Sequence, residues 1–188
     1  NLQIISALIY LQADYISDAT TLDALKDAQK RIMSMALLHE KLYRSNDLLH
    51  LNIAEYVSNL AAHLSTIYKT EARNITITTD VKVGDLDIDT AIPCGLIISE
   101  AVSNSLKYAF PGGRSGTIAI VMHERNHCIT IRVSDDGIGL PAGMDPRTTP
   151  SLGMHLIHML AENQLDGTLS ISSGKGVVYA VQFTRKKA

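Results

Sequence analysis

Glycine and proline are placed so unevenly in this chain that they fix its organisation. Residues 1 to about 70 contain neither, while all twelve Gly and all five Pro fall between 74 and 184. Both residues punctuate regular structure. The first part therefore reads as continuous helix, and the rest as alternating strands and helices joined by turns. There is no internal repeat and no low-complexity tract. A chain of 188 residues that is 46% hydrophobic and 19% charged has enough apolar side chain for a packed core. Its 17 basic and 19 acidic residues give a net charge of −2, which excludes a strongly basic nucleic-acid binder by bulk charge. The two cysteines, Cys94 and Cys128, form no CxxC pair. That argues against a disulfide framework and a cysteine zinc site, and suits a reducing cytosol.

In the helical part, Ile5, Leu8, Ile9, Gln12 and Ile16 follow one helical face over Leu2 to Ile16. A turn follows at Ser17-Asp18-Ala19. Thr20-Thr21-Leu22-Asp23 matches a capping box with Asp in the Glu position, opening a second helix from about Thr21 to Tyr43. That helix carries a short heptad seam: Leu25/Ala28, Ile32/Met35, His39/Leu42. Such a hairpin cannot bury both apolar faces alone and needs a second copy or a neighbouring domain. A third helix from Asn52 to about Lys69 places Ile53, Tyr56, Val57, Leu60, Leu64 and Ile67 inward. The domain boundary is set at residues 1–50 and 51–188.

Beyond it, the pattern predicts strands at 74–81, 117–123, 128–134, 168–172 and 177–184, and helices at 92–109 and 152–163. Glu124 to His127 forms one hairpin, and Gly174-Lys175-Gly176 turns another. The expected class is α+β: an N-terminal antiparallel helical hairpin, then a two-layer α/β sandwich with a mixed, mostly antiparallel sheet. The uncharged run Asn1 to Ala13 contains Asn, Gln and Ser and is short of the ~20 apolar residues that cross a bilayer. It has no basic n-region. This portion is therefore expected to hold no membrane segment and to be cytoplasmic, with membrane attachment of a longer protein left open. Asn rather than Met at position 1 reads as a fragment or a processed chain.

Three segments carry groups suited to chemistry. Glu100, Asn104, Lys107 and Tyr108 share one stripe of a helix, opposite Ala91, Ile98, Val102, Leu106 and Ala109. A carboxylate, an amide and an ammonium group there suit a general base, a metal ligand and a phosphate contact; a solvated polar face reads equally well. Asp135-Asp136-Gly137-Ile138-Gly139 follows an apolar strand. The glycines allow close backbone approach to a ligand, and Asp135 can accept from an exocyclic amine; the alternative is a plain β-turn. The Gly spacing and Pro141 exclude a dinucleotide-binding fingerprint. Thr148-Thr149-Pro150-Ser151-Leu152-Gly153 runs into a helix start, which is an anion site or a plain N-cap at Ser151.

In this order and spacing, Glu-x-x-x-Asn, Asp-x-Gly-x-Gly after a strand, a loop ending in Leu152-Gly153, then Asp166-Gly167-Thr168 and a terminal hairpin resemble the ATP-binding domain of the GHKL superfamily, over residues 74 to 184. The helical part is similar to the sensor histidine kinases related to the HWE subfamily. Asn1-Leu2-Gln3-Ile4-Ile5-Ser6 looks like the end of their phosphoacceptor helix. Leu38-His39-Glu40-Lys41-Leu42-Tyr43-Arg44-Ser45 looks like their second-helix signature. This chain departs from the family in having one lid glycine, Gly153, and Val177 where Thr is frequent.

The resemblance implies an ATP-dependent protein histidine kinase of two-component signalling. Glu100 is then the catalytic base. Asn104, Lys107, Tyr108, Asp135, Gly137, Gly139, Ser151, Leu152, Gly153 and Thr168 form the nucleotide site, and Asn104 binds Mg²⁺ with the ATP phosphates. Residues 142 to 151 are the lid. The family's phosphorylated histidine lies a few residues before the Asn-Leu-Gln stretch, and so upstream of Asn1. His39, on the seam beside Leu42, is a packing residue in preference to an acceptor. The implied partners are a response-regulator receiver domain and a second copy through the helical hairpin, with no nucleic acid. The alternatives are a nucleotide-binding docking module without transfer, and a GHKL ATPase or serine kinase.

Overall fold

The computed structural model describes residues 51–141, 143–144 and 152–185, with Ile9, Leu11, Ile16, Asp18, Thr21, Leu22, Leu25, Ala28, Gln29 and Ile32. The chain divides into two compact units, Asn1–Leu48 and Leu49–Ala188. In the first, every described residue except Ile16 and Asp18 is helical. The second helix is capped earlier than the Thr20 capping box implies. Thr21 donates its N–H and its hydroxyl to the Asp18 carboxylate at 2.8 and 2.6 Å, and Leu22 N–H donates to the Asp18 carbonyl at 2.9 Å. The Thr21 hydroxyl bond, then the backbone bond, lowers the Asp18 pKa. Met35, His39 and Leu42 of the seam lie outside the described residues.

In the second unit, α1 (Ile53–Tyr68) is capped by Asn52, whose side chain accepts from Glu55 N–H at 2.9 Å. It ends at Lys69 in the left-handed conformation, φ 50°. Ile53, Tyr56, Val57, Leu60, Ala61 and Leu64 are buried, the helical periodicity of one apolar face. The strands are β1 (Ile75–Lys82), β2 (Gly116–Arg125), β3 (Cys128–Asp135), β4 (Thr168–Gly174) and β5 (Gly176–Thr184). They form one sheet in the order β1-β2-β3-β5-β4. Only β1 and β2 pair in parallel; the other pairs are antiparallel. A parallel pair needs a crossover, and α2 (Ile88–Tyr108) supplies it.

Alternation buries one sheet face. Ile118, Ile120 and Met122 on β2, Ile129, Ile131 and Val133 on β3, and Tyr179, Val181 and Phe183 on β5 all point inward. Register joins them into cross-strand rows such as Ile120–Val133–Tyr179–Ile171 and Met122–Ile131–Val181–Leu169. The helices cover this face, giving the mixed two-layer α+β architecture. The β2–β3 hairpin turns through Asn126 and His127, at φ 52° and 61°, the positive-φ pair of a two-residue turn.

Two helix boundaries differ from the sequence reading. α2 begins at Ile88, not Ile92, because Thr90 donates its N–H and hydroxyl to the Asp87 carboxylate, both at 2.8 Å. Pro93 therefore sits inside the helix, in its second turn, where it removes only its own backbone bond. The final helix is α-helical over α3 (Leu152–His158) and widens to a π-helix over Met159–Gln164, with Leu165 N–H donating to Leu160 O at 3.0 Å.

α1 and α2 meet at Gly95, where a Cβ would lie 1.8 Å from the Tyr56 hydroxyl. Tyr56 is itself buried and has little room to move. Gly95→Ala should destabilise the protein by about 1–3 kcal/mol through overpacking. Chemical denaturation measures this, and an unchanged midpoint would mean the two helices can separate freely.

Candidate functional site

The site is assembled where the C-terminal half of α2 meets the ends of β3 and β5. Glu100 and Asn104 are one turn apart on α2, and Ser105 follows on the side facing the sheet. Glu100 is 4% exposed, so this stripe is not a solvated face at that position. β3 ends at Asp135 on the inward face, and Asp135 is 7% exposed.

Three donors converge on the Asp135 carboxylate. The Ser105 hydroxyl donates to Oδ2 at 2.7 Å, and the backbone N–H groups of Gly137 and Val177 donate to Oδ1 at 3.0 and 3.2 Å. Two glycines make this closeness possible. A Cβ on Gly176, where φ is 102°, would lie 1.9 Å from the Asp135 carbonyl oxygen. One on Gly137 would lie 2.4 Å from the Ala109 Cβ and carbonyl oxygen. The loop after β3 is then tied on both sides: Ile138 N–H donates to Ala109 O at 3.0 Å, and Leu140 N–H to the Ser173 hydroxyl at 2.8 Å. Asp136 has a different task. Its Oδ1 accepts from Thr117 N–H at 2.8 Å and its carbonyl from Arg114 at 2.8 Å, fastening the loop to the start of β2.

Above Asp135 lies a cavity of about 490 Å³, within the usual range for small-ligand sites. Its walls are largely apolar, from Ala109, Ile138, Leu140, Pro141, Met144, Met154 and Val177. Its polar groups are Asn104, Ser105, Asp135 and Tyr179, and Tyr108 and Gly139 also line it. The Asn104 amide nitrogen faces the Met154 sulfur at 3.9 Å. Burial raises the Tyr179 phenol pKa, its hydrogen bond with Asn104 opposes that, and the nearby Asp135 charge adds to it.

Of the residues singled out from sequence, the cavity gathers Asn104, Tyr108, Asp135 and Gly139. Gly137 supports the site from behind, packed on Ala109. Glu100 lies one turn behind Asn104, and Lys107 is half-buried on the same helix. Leu152 is 69% exposed at the start of α3, while Gly153 beside it is buried. Thr168 is not brought to the cavity: it pairs with Gln182, at the far end of β5 from Val177. Ser151 and most of the expected lid, 142 and 145–151, lie outside the described residues.

Ser105, Met154 and Tyr179 also line the cavity and are not among the residues singled out from sequence. For Ser105 there was a signal, a hydroxyl within the small-residue row Ala101, Ser105, Ala109 that faces the sheet. For Tyr179 it was a polar tip on an inward strand position.

What the site can do chemically follows from its donors. A mostly apolar cavity with one buried carboxylate suits a heteroaromatic base bearing an amine. Among the described residues no group of three or more His, Cys, Asp or Glu could hold a metal ion unaided. A divalent ion here would therefore need ligand oxygens beside Asn104, which is what phosphates supply. No helix among the described residues is long and apolar enough to cross a membrane.

Comparison with known proteins gives a family and a fold. Residues 1–68 match the family described as "Histidine kinase", and residues 89–187 the family described as "Histidine kinase-, DNA gyrase B-, and HSP90-like ATPase". The sensor histidine kinase PdtaS of Mycobacterium tuberculosis is 31% identical over 176 residues, 93% of this chain and 35% of that protein. The chain thus spans about a third of the length of this curated relative. Among solved structures, the histidine kinase domain of the Erythrobacter litoralis EL346 blue-light activated histidine kinase superposes with a TM-score of 0.75 at 22% identity, over 98% of this chain and 86% of that one. The histidine kinase ThkA, solved in complex with the response regulator protein TrrA, gives 0.57 at 15% identity, over 99% of this chain and 58% of that one.

Proposed function

Because this chain belongs to the histidine kinase-, DNA gyrase B- and HSP90-like ATPase family, we propose that it is the kinase core of a sensor histidine kinase. In this reading it binds Mg-ATP, passes the γ-phosphoryl group to a histidine, and from there to an aspartate of a response-regulator receiver domain. The observation that carries the reading is the Asp135 carboxylate at the base of the apolar slot. A carboxylate has about four acceptor directions. Ser105, Gly137 and Val177 use three, which leaves one for a ligand amine. The match of residues 1–68 favours a histidine kinase over an ATPase or serine kinase. A homodimer through residues 1–50 belongs to the same reading.

Each residue then has a physical task. Asp135 accepts the exocyclic amine of adenine, and Ile138, Met154 and Val177 exclude water from its ring. Asn104 offers its amide to the metal, and Lys107 and Tyr108 lie further along the helix toward the phosphates. The magnesium ion, when bound, neutralises phosphate charge. Glu100, held out of water one turn from Asn104, orients the acceptor imidazole and takes its proton. Phosphoryl transfer depends chiefly on such positioning and charge stabilisation.

The native protein incubated with γ-labelled ATP and Mg²⁺ should acquire label that is acid-labile and base-stable, the signature of phosphohistidine. Nucleotide binding without any label would replace the kinase reading with a docking module or an ATPase.

A further inference from the structure

The Asn104 side chain has two neighbours in the cavity, and both engage its nitrogen. Nδ2 lies 3.9 Å from the Met154 sulfur. A thioether has lone pairs and no hydrogen to give, so only the NH₂ end of an amide is favourable against it. The second neighbour is the phenol of Tyr179, which lines the same cavity and is 6% exposed. Burial raises the phenol pKa and the hydrogen bond with Asn104 opposes that rise, the sign of a bond donated to the phenol oxygen. The nitrogen is thus engaged on both sides, and the oxygen is the end of the amide that remains for a ligand.

Which end is offered matters for a cation. Mg²⁺ takes oxygen ligands in near-ideal octahedral geometry. An amide turned by about 180° around its last bond presents NH₂ instead, which cannot serve. Tyr179 is built to oppose that turn. Its strand is anchored two residues earlier, where Val177 N–H donates to Asp135 at 3.2 Å and Gly176 packs on the Asp135 backbone. In the sheet Tyr179 lies between Val133 and Ile171. Its hydroxyl is therefore a fixed acceptor, whereas the Met154 sulfur is a weak one on an adaptable side chain. A phenol can also donate, but a turned amide would then set its oxygen against the Met154 lone pairs.

We propose that Tyr179 is a positioning residue for the metal: its hydroxyl, together with Met154, holds the Asn104 amide so that the oxygen is the atom offered to Mg²⁺. The proposal rests on the Mg-ATP reading of the same cavity and adds what sets the orientation of the metal ligand. Tyr179 acts through Asn104 and needs no contact of its own with the metal.

The test is the gain in ATP affinity that Mg²⁺ brings: the dissociation constant in EDTA divided by that in Mg²⁺, measured by calorimetry on the unmodified chain and on Tyr179→Phe. Phe keeps the ring, so the strand stays packed. The unmodified chain should bind ATP more tightly with Mg²⁺. In Tyr179→Phe that gain should shrink about five-fold, one neutral hydrogen bond's worth, while the affinity in EDTA stays within about two-fold. Asn104→Asp supplies the control. A carboxylate offers an oxygen whichever way it lies, so adding Tyr179→Phe to Asn104→Asp should leave the gain of that variant unchanged. Should thermal unfolding show that Tyr179→Phe fails to fold, Met154→Leu removes the other acceptor and should shrink the gain in the same direction. A gain equal to that of the unmodified chain, or equal weakening of ATP with and without Mg²⁺, would show a tyrosine that only packs and would overturn the proposal. So would the same five-fold loss in the Asn104→Asp background, because Tyr179 would then act independently of the amide. A gain absent from the unmodified chain would bring down the metal reading of Asn104 and this proposal with it. Absence of any ATP binding would bring down the nucleotide reading itself, a different failure.

Discussion

Replacing Glu100 with Gln should lower phosphoryl transfer by about 10²-fold or more while leaving nucleotide affinity within about two-fold. Gln keeps the length and the hydrogen-bonding capacity of Glu, so the buried end of α2 remains filled. What it loses is the ability to accept a proton. Glu100 is 4% exposed and lies a turn away from the cavity-lining Asn104, so the change is felt at the transfer step and not by the bound base. Single-turnover transfer of labelled phosphate, measured beside equilibrium nucleotide binding, separates the two. Equal transfer rates in the two proteins would remove Glu100 from the base role. A parallel loss of affinity would make it a structural member of the helix.

Asp135→Asn should weaken ATP binding by about 10²-fold, and ITP by less. The geometry decides the orientation of the new amide. Two backbone N–H groups converge on the Oδ1 position, so the amide oxygen stays there. The NH₂ group takes the Oδ2 position, where the Ser105 hydroxyl can rotate to accept from it. Its second hydrogen then points into the cavity and meets the adenine amine donor to donor. One charge-assisted hydrogen bond, about 1.5–3 kcal/mol, is lost and a clash of like partners is added. The carbonyl of hypoxanthine meets the same N–H as an acceptor, so the ATP preference over ITP narrows or reverses. Calorimetric titration with both nucleotides checks this. Equal losses for ATP and ITP would mean that Asp135 does not face the purine edge.

Much of the architecture was readable from local rules. The inward alternation of Ile118, Ile120 and Met122, and the spacing of Ile53, Tyr56, Val57, Leu60 and Leu64, report directly which face is buried. Hairpins at Asn126-His127 and around Lys175 follow from turn chemistry. Where local rules compete, the helix starts shift. The apolar pattern starts α2 at Ile92, although the Asp87 cap begins the helix earlier. Thr20 looked like a cap, although Asp18 has the carboxylate that reaches Thr21.

Within the site, the division follows separation along the chain. Glu100 and Asn104 are neighbours by helical spacing alone, so a sequence suffices to pair them. Asp135 and Asp136 are equivalent as letters; strand register turns the first inward and sends the second to Thr117. Thr168 looked like part of the constellation until the β4–β5 pairing put it at the other end of the sheet. The α+β order, the apolar faces and the helix stripe that carries Glu100 and Asn104 are legible in the residues alone, because these depend on contacts within a few residues. That Ser105, Gly137 and Val177 share one carboxylate, leaving one acceptor direction for a ligand, depends on how the chain folds back on itself. Those three donors come from a helix, a loop and a strand brought together by sheet register and by two glycines that let backbones touch.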